Sequence, residues 1–260
     1  MASWSSRRKV KYAFFTTIFL ILVIGIPLFL FFYHRPTCFD NIMNGDEKGV
    51  DCGGSCTRLC QSAFIPPKIV WGGARWEKIG PGIYNVASYI ENLNLNGGAT
   101  DVPYEIVLYD NTGSIIAKRN GRVDLYPHRN SLAFESQINT KGLEPSRATF
   151  RFTDDPKWFK SNDSLGDISV VEKNYFEEKN NSSLSVILEN KSLYNYNNIF
   201  VLAILYDNGG NVIGFSRTVV DSIKSKNGRE TAVFTWPISR EGKVVAEDII
   251  LSTRPVVVNN

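Results

Sequence analysis

The residues of this 260-residue chain with the most distinctive chemistry are four cysteines, which lie within one stretch of 23 positions. The stretch reads CFDNIMNGDEKGVDCGGSCTRLC, with the spacing C-x13-C-x3-C-x3-C. Four thiolates could bind a tetrahedral zinc ion, but the stretch lacks the closely paired C-x2-C that is common in such sites. We therefore expect two disulfides, with all three possible pairings left open. The cysteines concerned are Cys38, Cys52, Cys56 and Cys60.

Oxygen-bearing side chains, the ligands that calcium prefers, lie between these cysteines. The complete D-x-[DN]-x-[DN]-G-x5-E calcium loop is absent, and the alternative is a solvated turn held by the disulfides. No other cofactor or metal is expected. The calcium candidates are Asp40, Asn44, Asp46, Glu47 and Asp51.

The remaining sequence offers few residues for catalysis. The chain contains two histidines, and one of them, His128, lies in a polar stretch that we interpret as an exposed turn. The motifs G-x-S-x-G, H-E-x-x-H and G-x4-G-K-[ST] do not occur. Glycosidase carboxylates come from distant positions in a sequence, so motif searches do not find them. We expect no catalytic activity; the alternative is an envelope enzyme, or an accessory enzyme subunit, that acts on glycans.

Four aromatic residues are candidates for a binding or interdomain surface. Exposed aromatic rings beside polar groups suit glycans or a partner protein, and the alternative is burial in the core. Two of them lie at the start of the first predicted β-domain, and the other two lie in the predicted linker, where docking on a domain surface would restrict the interdomain angle. They are Trp71, Trp76, Trp158 and Phe159.

An uncharged apolar stretch at positions 12–33 predicts a transmembrane helix, because about 20 such residues span a bilayer. A signal peptide is the alternative, but the stretch exceeds the usual core of about 7–15 residues and no A-x-A site follows it. Four basic residues in the tail at positions 1–11 predict a cytoplasmic N-terminus, by the positive-inside rule. The rest of the chain would then lie outside, where disulfides persist.

The basic tail also accounts for the net charge of +3. Beyond position 11 the chain has 25 basic and 26 acidic residues. Nucleic acid is therefore not an expected partner.

Two stretches of the chain, at positions 84–135 and 184–236, resemble each other. Each contains Glu-Asn after an apolar run, then Leu-Tyr-Asp, then the pattern Asn-x-Gly-x-apolar-Ile. Phe134 and Phe234 are taken to close the match. Short β-branched and aromatic runs, separated by Gly/Asn turns, predict strands in each copy. The pattern favours an all-β fold with two tandem immunoglobulin-like β-sandwiches.

We expect the sandwiches at positions 66–156 and 167–258, joined by a linker at 157–166. They would follow the transmembrane helix and a small disulfide-containing module at positions 38–60.

Two resemblances accompany these predictions. The pattern C-x-D…N-G-D-E-x-G-V-D-C-G-G-x-C-x3-C resembles a short cysteine-rich module of extracytoplasmic proteins in uncultured bacteria and archaea, which implies a disulfide-held spacer without enzymatic activity. The Leu-Tyr-Asp repeat resembles FxLYD-type domains, an extracytoplasmic immunoglobulin-like family, although Ile106 and Ala203 replace its aromatic residue. Matched to that family, Leu108, Tyr109, Asp110 and Gly113 are structural positions.

Together these features predict a single-pass protein of the cell membrane, with its N-terminus in the cytoplasm and most of the chain outside. We expect the bilayer to bind positions 12–33 and the sandwiches to bind another envelope protein or a glycan. The expected role is binding or scaffolding.

Overall fold

The computed structural model describes residues 4–33, 35–160, 167–177, 181–237 and 243–252. The chain divides into two compact units, Met1–Cys56 and Thr57–Asn260. The first contains an apolar helix and most of the cysteine-rich module, and the second contains the β-sheets. The predicted all-β fold with one N-terminal helix is confirmed.

The helical segment is longer than the predicted span. It consists of α1 (Trp4–Leu20), a π-helical turn (Ile21–Gly25) and α2 (Ile26–Phe32). Pro27 is one of the first residues of α2. Proline has no N–H to donate, and the π-helical turn directly before α2 accommodates the missing backbone hydrogen bond. The hydroxyls of Thr16 and Thr17 donate to carbonyls one turn earlier, so these two polar groups need no water.

The cysteine-rich module is built from turns, and all four cysteines are in disulfides, as predicted. One disulfide joins Cys38 to Cys56, and Cys52 and Cys60 are also disulfide-bonded. Gly54 has a φ of +56°, and a side chain there would collide with the carbonyl oxygen of Asp46. Only glycine fits this close approach.

The first sandwich consists of two antiparallel sheets, which we call inner sheet 1 and outer sheet 1. Inner sheet 1 contains β1 (Lys68–Ile69), β2 (Arg75–Gly80), β3 (Ile83–Glu91) and β6 (Asn130–Asn139), and the central strand β3 pairs with each of the other three. In outer sheet 1, β4 is central: β4 (Gly97–Tyr109), β5 (Ile115–Leu125), β7 (Arg147–Phe152) and β8 (Phe159–Lys160).

The second sandwich is built in the same way. Outer sheet 2 contains β9 (Ile168–Glu177), β10 (Asn181–Asn190) and β13 (Gly228–Pro237), with β10 in the centre. Inner sheet 2 contains β11 (Tyr196–Tyr206), β12 (Val212–Ile223) and β14 (Ala246–Ser252), with β11 in the centre. Strands β9 to β14 thus repeat the pairing of β2 to β7, and the sequence repeat corresponds to a structural one.

A buried asparagine closes the same corner of both sandwiches. Asn92 donates from its amide to the carbonyls of Gly97 and Tyr126, and Asn190 donates to those of Tyr194 and Lys224. Each side-chain oxygen also accepts a backbone N–H two residues later. The Glu-Asn of the repeat therefore satisfies backbone groups where strands turn inside the protein.

The Asp of each Leu-Tyr-Asp has a local role. Asp110 accepts backbone N–H groups across its hairpin turn, and Asp207 does the same in the second sandwich. Hydrogen bonds, largest from the side chains of Thr112 and Asn211 respectively, lower the pKa of both carboxyls. Gly113 and Gly210 take positive φ in these turns. The repeat motif is thus structural.

The proposed match of Phe134 with Phe234 is wrong by one residue. Glu91 pairs with Asn130 and Glu189 with Arg229, so Phe134 corresponds to Val233. Because successive side chains of a strand point to opposite faces, Phe134 packs outside the core of its sandwich and Phe234 packs inside.

The two inner sheets pack on each other. Val86 and Ile90 of β3 face the core of the first sandwich, whereas Ala87 and Tyr89 face the second sandwich. The residues buried between the inner sheets are Ala87, Tyr89, Leu132, Phe134, Leu202, Ile204, Phe215 and Ile250. The β-structure is therefore a stack of four sheets, which we call the double sandwich.

Replacing Asn190 by alanine would remove the side-chain partner of the Lys224 carbonyl and of the Ser192 N–H, and would leave the Tyr194 carbonyl with the Ser192 hydroxyl alone. A buried unpaired polar group costs about 1–3 kcal/mol, so we expect Asn190→Ala to lower the free energy of unfolding by about 2–3 kcal/mol. Urea denaturation of the full chain in detergent measures this. Asn208→Ala, in an exposed turn, is the control and should change little. Equal stability of the two variants would contradict the assigned role.

Candidate functional site

The calcium candidates of the cysteine-rich module accept hydrogen bonds from the module itself. Both carboxylate oxygens of Asp51, which is buried, lie 3.1 Å from the backbone nitrogen of Asn41. Asp40 accepts from the backbone nitrogen of Ile42 at 3.0 Å and from the Asn44 amide at 2.9 Å. The Asn44 hydrogen bond is the main cause that lowers the pKa of Asp40.

The other two carboxylates are used in the same way. Asp46 accepts from the hydroxyl of Ser55 at 2.7 Å, and Glu47 accepts from the backbone nitrogen of Asn44 at 3.2 Å. The side-chain oxygen of Asn44 is buried and has no hydrogen-bond partner among the described residues. Each candidate carboxylate thus has a structural role without an ion, and calcium binding stays a prediction.

Trp71 and Trp76 lie in different places. Trp71 stacks on Tyr89, with ring centroids 5.5 Å apart, and packs against the residues between the inner sheets. Trp76, on β2, packs against the core of the first sandwich. Both side chains are half-buried. Of the two, Trp71 borders the contact between the sandwiches.

Trp158 and Phe159 belong to the first sandwich. Trp158 is 4% exposed, lies in the first core and stacks on Phe64 at 5.2 Å. Phe159 is on β8, where it pairs with Gly98 of β4. This placement differs from the expected docking between domains. The sandwiches are held instead by sheet faces that the sequence analysis did not identify, and positions 161–166 of the predicted linker lie outside the described residues.

A polar groove of about 230 Å³ lies beside the contact between the sandwiches. The Tyr89 hydroxyl donates to a carboxylate oxygen of Asp248 at 2.8 Å and accepts from the Asn130 amide at 2.7 Å. Burial, together with the charge of Asp248, raises the pKa of Tyr89, and burial is the main cause that raises the pKa of Tyr206 to about 12. At physiological pH these phenols are neutral, so they form hydrogen bonds and do not act as bases. The cluster therefore suits a hydrogen-bonded contact between the two sandwiches.

The open face of outer sheet 1 carries a charged cluster. Glu105 is buried beneath the side chains of Lys118 and Arg151 and forms ion pairs with both, the Arg151 contact at 2.9 Å. Hydrogen bonds from these side chains, Lys118 first, lower the pKa of Glu105. Sequence patterns gave no signal for this cluster, because its members come from three separate strands.

No protein-family model matches this chain, and no curated protein is similar to it. Among solved structures, a provisionally assigned β-galactosidase from Bacteroides fragilis matches 66% of this chain with 9% identity, a TM-score of 0.21 and 32% of its own length. An exo-chitosanase from Amycolatopsis orientalis matches 65% with 11% identity, a TM-score of 0.18 and 25% of its own length. The chain thus spans a third or less of these proteins, and such low scores carry no argument about function.

Phe215→Ala tests the contact between the inner sheets. Phe215 is 1% exposed and contacts Phe134 edge to face at 6.0 Å. Its truncation should cost about 3–5 kcal/mol and loosen the contact while each sandwich keeps its own core. Neutron scattering in contrast-matched detergent should then show a broader distribution of distances within the protein. Trp158→Ala, which removes a ring from the first core, is the control; a broadening with Trp158→Ala alone would contradict the assignment.

Glu105 should make the chain sensitive to acid. Its pKa in the folded state lies below the value of about 4.3 in an unfolded chain. Its stabilising contribution is therefore present above about pH 4.3 and is lost as the pH falls through the folded-state pKa. Glu105→Gln should destabilise the chain at pH 7 and flatten the fall of its thermal midpoint below about pH 4. An unchanged pH profile would show that the cluster contributes nothing. Glu144→Gln, at an exposed ion pair with Lys78, is the control with a smaller effect.

Proposed function

We propose that the chain is a single-pass membrane protein whose N-terminus is cytoplasmic and whose double sandwich lies outside the cell as a binding or scaffold element. The observation that carries the proposal is the helix Arg8–Phe32, whose 25 residues contain an 18-residue window with a mean hydropathy of 2.7 and no buried residue. A helix that is apolar all round and packs on nothing else in the described structure suits a bilayer.

The disulfides support an extracytoplasmic location, since such bonds persist in oxidising compartments. This agrees with the charge asymmetry of the tail. The pairing order of both sandwiches, with the second strand next to the first and fifth and the third next to the fourth and sixth, supports an immunoglobulin-like class. The resemblance to extracytoplasmic FxLYD-type domains is part of the same proposal.

A binding role, without catalytic activity, agrees with how the polar side chains are used. The carboxylates of the module, the Tyr89 cluster and the Glu105 cluster are engaged in internal hydrogen bonds and ion pairs. The groove beside Tyr89, at about 230 Å³, is smaller than the usual ligand pocket of about 300–1,000 Å³. The expected ligand is another envelope protein or a glycan, bound at a surface.

Membrane fractionation and protease protection of the full chain test the topology. We expect the protein to stay in the membrane at alkaline pH, and external protease to degrade all except the tail and helix. Titration of the unreduced, denatured protein should find no free thiol. Release of a soluble form cut near position 35 would show that the helix is a signal sequence, and protection of the sandwiches would reverse the orientation. Crosslinking in native membranes would then identify the partner.

A further inference from the structure

One end of the double sandwich presents large apolar side chains to solvent. Leu193 and Tyr194, between β10 and β11, are 75% and 74% exposed. The corresponding loop of the first sandwich, between β3 and β4, exposes Leu95 at 70%. Leu93 and Ile65 are also exposed beside it. We call these five residues the loop end.

The backbone of the loop end is held in place. The Asn190 amide and the Ser192 hydroxyl donate to the carbonyl of Tyr194, at 2.7 and 3.0 Å. In the first sandwich, Asn94 donates to the carbonyl of Ile65 and accepts from its N–H. The exposed side chains are therefore presented by ordered loops, and binding through them would cost little loop ordering.

The equivalent loops of the two sandwiches lie at the same end of the double sandwich. Tyr126, in the loop after β5, packs into the core of the second sandwich, and its hydroxyl lies 3.3 Å from that of Ser252. Ile168, in the same core, pairs with Asn190 at the end of β10. At the opposite end, Glu77 accepts the N–H of Phe215, near the β11–β12 hairpin. The two sets of loops thus form one surface.

Two lysines give the loop end positive charge, and the polypeptide enters the double sandwich there. Lys224 and Lys226 are exposed in the loop after β12, which donates an N–H to the Ser192 carbonyl of the Leu193 loop. The double sandwich begins at Thr57, whose carbonyl accepts the N–H of Lys160, and the chain then runs to Ile65 at the loop end. The helical segment precedes Thr57 in the sequence, and the stretch from Thr57 to Ile65 leads to this end of the double sandwich.

We propose that the loop end rests on the surface of the bilayer, with Leu193, Tyr194 and Leu95 in the headgroup region and the two lysines on anionic lipids. Tyrosine is enriched at membrane interfaces, and lysines near a membrane bind anionic headgroups. The inference rests on the proposed function, because the helix brings the bilayer to the protein. It makes the double sandwich a membrane-resting platform, which leaves the open faces of the two outer sheets for partners.

Spin labelling of the full chain in anionic vesicles tests this inference. All four native cysteines are in disulfides, so Leu193→Cys gives one reactive thiol. Asn208→Cys, in the exposed hairpin turn of the same sandwich, is the matched control. We expect the label at position 193 to collide several-fold more with lipid-soluble oxygen, relative to a water-soluble nickel complex, than the label at 208. Replacing both Lys224 and Lys226 by glutamine should reduce this difference.

Equal, water-like values at both positions would overturn the inference and favour a protein as the occupant of the loop end. Immersion of both labels would also overturn it, because the loop end would not be distinguished. Alkaline extraction of the same vesicles separates the two proposals. Protein that is extracted although label 193 contacts lipid would contradict the membrane anchor and leave the loop end as a peripheral site, whereas retained protein with a water-exposed label would contradict the loop end alone.

Discussion

Burial of apolar side chains between the two inner sheets is the interaction on which the rest of the β-structure depends. Phe134 of one sandwich and Phe215 of the other meet there, and each lies outside the core of its own sandwich. Burying one such side chain contributes about 1.5–3 kcal/mol. The contact therefore holds two small sandwiches as one body, with no need for a stiff linker, and it places their equivalent loops at one end.

The same contact explains why the repeats diverged. Leu108 corresponds to Leu205, so Glu105 on the open face of outer sheet 1 corresponds to Leu202, which is covered by the first sandwich. A charged residue with its ion pairs keeps the open face soluble, and leucine fits the covered one. In the same way, Ser185 on the open face of outer sheet 2 corresponds to Ala87 of inner sheet 1. The open faces act like the polar caps of a repeat array.

Much of the architecture could be predicted from local patterns, and the contact between sandwiches could not. The apolar span, the oxidised cysteines and the Gly/Asn turns each leave a signal within a few residues. A strand that is covered on both faces has a continuous apolar sequence, as at 199–206. Such a sequence predicts burial on both sides, but it does not indicate which other strand packs on each side. Trp158 illustrates the same limit. An aromatic residue in a predicted linker has the same sequence pattern whether it packs on the domain before the linker or on the domain after it.

Native-state hydrogen exchange of the full chain, with increasing denaturant, tests most directly whether the two sandwiches are one cooperative body. The amides of Ala87 on β3 and Leu202 on β11 lie on opposite sides of the contact. If the contact joins the sandwiches, both amides should exchange through one opening, with the same free energy and the same dependence on denaturant. Separate openings, with one of these strands exchanging at a clearly lower free energy while the other stays protected, would contradict the account.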